Sequence, residues 1–191
     1  LNRTSYRKLC ESFGFNQSAG GSFASSKSQF VLNKKSDVAE AAQTAIGQGK
    51  TTITPLQNAL ISATIANDGN LMTPYLVDRI ESVDGNIVKK YKPEVRRKVI
   101  SKKRSNQITG MMRSVVSDGT AGSLKNLSYP VAGKTGTAEF DARGTSHAWF
   151  VGFAPAAAPG IAVSVIVEGA GTGSQYAVPI ASKLFEEYLG N

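Results

Sequence analysis

Lys134, Thr135, Gly136 and Thr137 place a cation, two hydroxyls and a position without a side chain in four consecutive residues. They lie inside Val131-Ala132-Gly133-Lys134-Thr135-Gly136-Thr137-Ala138-Glu139, ahead of a polar stretch and then an apolar one. A strand of this composition can offer its backbone to a ligand. Gly136 permits close approach, and the lysine and threonine hydroxyls can hold an anion. Gly133-Lys134-Thr135 also imitates the end of a phosphate-binding loop, which needs Gly-x-x-x-x-Gly-Lys-Ser/Thr. Where its first glycine belongs stands Ser128, and Pro130 interrupts the loop. The residues after the lysine favour extended chain, whereas that loop must open a helix. A buried strand with an incidental lysine is the plainer alternative.

The flanks argue against the plainer alternative. Downstream runs His147-Ala148-Trp149-Phe150-Val151-Gly152-Phe153, and upstream stand Ala45-Ile46-Gly47-Gln48-Gly49, Thr54-Pro55-Leu56-Gln57 and Asp118-Gly119-Thr120-Ala121-Gly122. Together with Lys-Thr-Gly, these segments closely resemble, in content and order, the transpeptidase domain of penicillin-binding proteins. Lys-Thr-Gly is the third catalytic element of that family and of the serine β-lactamases, after Ser-x-x-Lys and a Ser-x-Asn-type element. The resemblance spans roughly residues 45–170. It is stronger to the class B-like, penicillin-binding protein A type than to β-lactamases.

The first two elements are the missing part. Ser5-Tyr6-Arg7-Lys8 is the only Ser-x-x-Lys, and no Ser-x-Asn occurs. Tyr6, Leu9, Cys10 and Phe13 recur at helical spacing up to Gly14, which leaves Ser5 and Lys8 on other faces of an amphipathic helix. Ser5 is therefore not expected to be the nucleophile. The resemblance implies that the chain starts just after the second element. It is then the C-terminal part of a single transpeptidase domain, inactive alone and normally preceded by a membrane anchor and a non-catalytic domain.

The composition admits one domain-sized core in 191 residues and holds a single cysteine, so no internal disulfide can form. Cys10 reads as core filler. A net charge of +8 gathers in Lys89-Lys90-Tyr91-Lys92, Arg96-Arg97-Lys98 and Lys102-Lys103-Arg104. Without interleaved aromatics beyond Tyr91 this is not a nucleic-acid interface; it reads as a solvated face or one turned to anionic lipid or wall polymer. His147 lacks partners at metal spacing, so strand-end packing or a hydrogen bond is expected, with no metal and no cofactor.

The elements that must position these residues are legible in outline. Thr54, Pro55 and Gln57 cap and open a helix with Leu56, Ala59, Leu60 and Ala63 as its buried stripe, ended by Asn67-Asp68-Gly69. Residues 75–80 and 86–91 form a hairpin about Asp84-Gly85. A helix over 102–117 buries Ile108, Met111, Met112, Val115 and Val116. Strands over 131–139, 148–153 and 161–167 form an antiparallel meander, the last covered on both faces. A final helix over about 179–189 covers the sheet with Ile180, Leu184 and Tyr188. The expected fold is α+β, the C-terminal part of the penicillin-binding protein and serine β-lactamase-like fold. It comprises a mainly helical part with a hairpin (1–125) and a part with three sheet strands and the last helix (126–191). In the family two further strands continue that sheet, so Ile161–Val167 is expected to have an unpaired edge.

Carried onto this sequence, the resemblance implies peptidoglycan cross-linking through a serine acyl-enzyme that β-lactams trap. Lys134 would be catalytic, charging the proton network and the substrate carboxylate. Thr135, Gly136 and Thr137 would bind substrate, with the Thr137 N–H as one oxyanion donor. Implied partners are stem peptides, β-lactam antibiotics, the N-terminal part of the same protein and the division or elongation machinery that sets cell shape. The implied location is the outer face of the bacterial cytoplasmic membrane. A serine β-lactamase, a β-lactam sensor and a non-catalytic scaffold are the alternatives.

Overall fold

Side-chain caps set most helix starts, as each supplies an acceptor to an orphan amide of the first turn. Asn2 accepts the Ser5 N–H ahead of α1 (Arg3–Ser12), and Asp37 that of Glu40 ahead of α2 (Val38–Ala45). Thr54 caps α3 (Pro55–Ala66) through the Gln57 N–H, and Ser101 caps α4 (Lys102–Ser117) through that of Arg104. The computed structural model describes residues 2–140 and 144–190. α2 has no counterpart in the sequence reading. The capping box at α3 forms by half: Gln57 Nε2 donates to Phe13 O at 2.6 Å, and Ser28 Oγ takes the Thr54 N–H at 2.9 Å.

β1 (Asn70–Met72) pairs antiparallel with β4 (Val95–Lys98), and β2 (Arg79–Glu81) with β3 (Ile87–Lys90) as the hairpin about Gly85. Leaving α3 at Gly69 demands a glycine: φ is +88°, and a Cβ there would lie 2.1 Å from Ile100 O. A 3-10 turn, Gly122–Asn126, leads from α4 into β5 (Ala132–Glu139). β5, β6 (Ser146–Ala154) and β7 (Ile161–Val167) form the expected antiparallel meander in that order, closed by α5 (Gly173–Leu189).

Two apolar clusters fix the layers. On one face of the sheet Phe150, Val163 and Val165 pack with Ala177, Ala181 and Phe185 of α5. The Phe150 and Phe185 rings meet edge-on at 6.4 Å. On the other, Ala132 and Phe153 pack with Ile65 of α3 and Met112 of α4. β7 is thus covered on both faces, as its apolar run requires. The α+β fold class holds, and 1–125 and 126–191 share these cores.

Three burial expectations need correction. α5 begins at Gly173 instead of 179, and Ile180, Leu184 and Tyr188 are exposed; Gly173, Ala177, Val178, Ala181 and Phe185 face inward. Small residues let the helix come close to the sheet, so the bulkier apolar row is left outside. Met111 is exposed, one helical step off the face that buries Met112 and Val116. In α3 the fully buried positions are Gln57, Ser62, Thr64 and Ile65, whereas Leu56, Ala59, Leu60 and Ala63 are half-buried. Of the polar ones, Thr64 Oγ1 donates to Leu60 O at 2.7 Å and Gln57 Nε2 to the distant Phe13 O, whereas the buried Ser62 hydroxyl has no hydrogen-bond partner among the described residues.

The basic run is in part structural. Arg96 Nη1 donates to Ser18 O and Ala19 O at 2.9 Å each, and Arg97 Nη2 to Gln17 Oε1 at 2.7 Å, tying residues 17–19 to β4. Burial, then the Arg97 charge, lowers the Arg96 pKa from its ordinary value. Lys102 Nζ pairs with Asp68 at 2.9 Å.

Candidate active site

β5 is an edge strand whose backbone parity can be read from two bonds. Lys134 Nζ donates to Thr135 O at 2.6 Å, and Gln48 Nε2 donates to Thr137 O at 3.1 Å. Both carbonyls point away from β6. In a strand, the N–H and C=O of one residue point the same way and alternate residues share that direction. The Thr137 N–H therefore faces the open edge, while Gly136, opposite Trp149, bonds inward to β6.

Side chains alternate across the same strand. Lys134 and Gly136 share a face with their partners Val151 and Trp149, and this face looks into a groove of about 450 Å³. Across it lie Gly47 and Gln48 after α2, Ile53, and Asn58 of α3. Lys134 is exposed. A glycine at 136 keeps the groove floor low: a Cβ there would stand 3.1 Å from the Trp149 Cβ. The arrangement can dock an extended anionic chain beside β5, with a cation for its charge and an N–H for a carbonyl oxygen.

Thr135 and Thr137 point their Cβ atoms to the opposite face, and at this open edge both also line the groove. Thr135 is buried, and its hydroxyl makes a short hydrogen bond with the Thr120 hydroxyl from the turn after α4. Thr137 is exposed. Beneath this face the first turn of α5 crosses the Gly136–Trp149 pair so closely that a Cβ on Gly173 would lie 2.2 Å from Trp149 O and 2.7 Å from Gly136 O. The α5 N-terminus thus braces the backbone that carries the site. His147 does what was expected of it: its ring stacks on Phe140 at 4.1 Å, and Nδ1 accepts the Gly169 N–H at 3.2 Å.

An edge strand with this cation, this open N–H and this facing loop fits the resemblance, and comparison with known proteins decides it. A family model, the penicillin binding protein transpeptidase domain, matches residues 1–186. This chain belongs to that family. PbpA of Mycolicibacterium smegmatis, a peptidoglycan D,D-transpeptidase, is 39% identical over 153 residues, 75% of this chain and 31% of the relative. Stage V sporulation protein D of Bacillus subtilis is 35% identical over 201 residues, 99% of this chain and 31% of that protein. Penicillin-binding protein A from M. tuberculosis, solved as a ceftriaxone acyl-enzyme complex, superposes with a TM-score of 0.87 at 31% identity, covering 97% of this chain and 43% of that one. The chain thus spans about a third of the length of these curated relatives.

Within this transpeptidase-domain chain the structure brings Lys134, Thr135, Gly136 and Thr137 to the lining of one groove, with the Thr135 hydroxyl engaged by that of Thr120. Ser5 and Lys8 are exposed on α1, and neither lines that groove. Sequence reasoning gave no role to Thr120, Gln48, Asn58 or Trp149. For Gln48 a signal existed: a long amide between two glycines, both at positive φ (Gly47 +79°, Gly49 +88°), is a side chain on a pinned turn. Among the described residues no cluster of His, Cys, Asp and Glu could hold a metal, and no helix is long and apolar enough to cross a membrane.

Proposed function

We propose that this chain is the C-terminal part of the transpeptidase domain of a peptidoglycan D,D-transpeptidase that acts on the outer face of the cytoplasmic membrane. The carrying observation is the open edge of β5, where the Thr137 N–H, Lys134 and a substrate-sized groove converge. A stem peptide would lie antiparallel to β5 with its terminal carboxylate near Lys134, and the hydroxyls of Thr135 and Thr137 completing its binding. Seating that carboxylate requires the Lys134 ammonium to leave Thr135 O and the Thr135–Thr120 bond to rearrange.

A serine from the remainder of the domain attacks the penultimate D-Ala carbonyl. The carbonyl electron pair moves to oxygen, where the Thr137 N–H stabilises it. A fixed donor of this kind is typically worth ~10²–10³ in rate, because it needs no reorganisation as charge develops. The C–N bond then breaks, and the departing D-Ala amine takes up the proton that the serine gave to the Lys134-linked network. An amine of a second stem attacks the ester, loses a proton to that network and restores the serine. β-Lactams fill the same groove and stop at the ester. Stem peptides, β-lactams and the division or elongation machinery are the partners in this reading.

The test uses the full-length protein. Fluorescent penicillin should label it covalently, and a chromogenic cephalosporin should be turned over at no more than a stoichiometric burst. Sustained hydrolysis would point to a β-lactamase, and absence of labelling to a scaffold.

A further inference from the structure

Both outward carbonyls of the central part of β5 accept a side-chain hydrogen bond, Thr135 O from Lys134 and Thr137 O from Gln48. The Gln48 bond joins two segments 89 residues apart, and the turn that delivers it is fixed independently of it. The Gln48 N–H donates to Gln43 O at 2.9 Å, and the Gly47 N–H to Thr44 O at 3.1 Å, between glycines that alone adopt the required φ with ease. A side-chain amide is thus held over an edge-strand acceptor that would otherwise be open to strand addition.

The position of that acceptor gives the bond its meaning. In an antiparallel pair, a residue facing its partner exchanges both of its backbone bonds with a single opposite residue. A ligand whose carbonyl oxygen takes the Thr137 N–H therefore brings the N–H of that same residue onto Thr137 O. Gln48 Nε2 sits there. We propose that Gln48 is a latch on the acyl-donor subsite: its amide satisfies the Thr137 carbonyl and gives way when the residue under attack carries an N–H of its own. The exchange is one hydrogen bond for another, so an amide-bearing donor opens the latch at the cost of competing with it. A donor without that N–H leaves the latch closed and binds beside it. Gln48 is a positioning and specificity residue in this scheme; it takes no part in bond making. The inference rests on the transpeptidase reading above.

Two β-lactams separate latch from structure. Benzylpenicillin has an acylamino N–H on the carbon beside its β-lactam carbonyl, and imipenem has a hydroxyethyl group there. Second-order acylation rates are measured for the full-length protein and for its Gln48→Met and Gln48→Ala variants; methionine keeps the length and lacks the donor. Losing a competing hydrogen bond should speed benzylpenicillin by about three- to tenfold in both variants, while imipenem stays within about twofold. A benzylpenicillin rate that is unchanged or lower, or a change shared equally by both drugs, overturns the latch. If the unmodified full-length protein reacts with neither drug, the transpeptidase reading falls and takes the latch with it.

Discussion

Lys134 is exposed and fills no core, so its removal should separate chemistry from folding. In the full-length protein, Lys134→Ala is expected to slow acylation by fluorescent penicillin about 10²–10³-fold, the scale for losing one preorganised electrostatic contact. Its melting temperature should stay near that of the parent. A variant that acylates at the parent rate would remove Lys134 from the mechanism. Gly136→Val tests shape in place of charge. The new Cβ would meet Trp149 at 3.1 Å, and the branched side chain would rise into the groove. Acylation should fall at least as far as in Lys134→Ala, with a loss of stability of about 1–3 kcal/mol from overpacking. Cys10 gives a residue-scale prediction about pH. Burial first, then the Glu11 charge, pushes its thiol up to about 11. At pH 8 alkylation should thus run about ten- to a hundredfold slower than for a thiol of ordinary pKa, since the thiolate reacts and its greater nucleophilicity offsets only part of its scarcity. The folded pKa lies above the unfolded one, so the protonated thiol's contribution is intact below about pH 9 and is lost as pH rises toward 11. Alkylation at the free-thiol rate in the folded protein would show that Cys10 is not shielded.

The sheet was the most legible set of elements because its strands state their period and its glycines and apolar runs state their cover. β5 and β7 fall where composition puts them, and α4 has the bounds its spacing predicts. What was missed shares one cause: contacts that depend on partners distant in sequence. Ile180, Leu184 and Tyr188 form as regular a row as Ala177, Ala181 and Phe185, and only closeness to β6 selects the smaller set. The Thr120–Thr135 pair likewise joins a turn to a strand, and nothing local marks it. The same closeness makes the start of α5 a sensitive point. With 2.2 Å between the Gly173 Cβ position and Trp149 O, even alanine forces the helix away from the Gly136–Trp149 pair. Gly173→Ala should lower stability by about 3 kcal/mol, the upper range for overpacking, and reduce β-lactam acylation although it touches no ligand. Normal melting with normal acylation would mean that α5 does not brace the site.

At the scale of the whole molecule the two edges of the sheet are treated differently. The β5 edge is met by Lys134 and Gln48, whose side chains satisfy two of its outward carbonyls. β7 pairs with β6 alone among the described residues, while α3 and α5 cover its faces. Ile161–Val167 is apolar at nearly every position, and a run with that composition and an open side recruits further strands. We therefore expect the 191-residue chain, prepared alone, to self-associate through the β7 edge and to remain unlabelled by fluorescent penicillin. A separately produced polypeptide carrying the serine elements should pair with it, and a stoichiometric complex and penicillin labelling should then appear together. Sedimentation and labelling read the two effects on one sample. A compact monomer that melts cooperatively with nothing added would show that the β7 edge is closed without further strands, and labelling of that monomer would place the nucleophile within these residues.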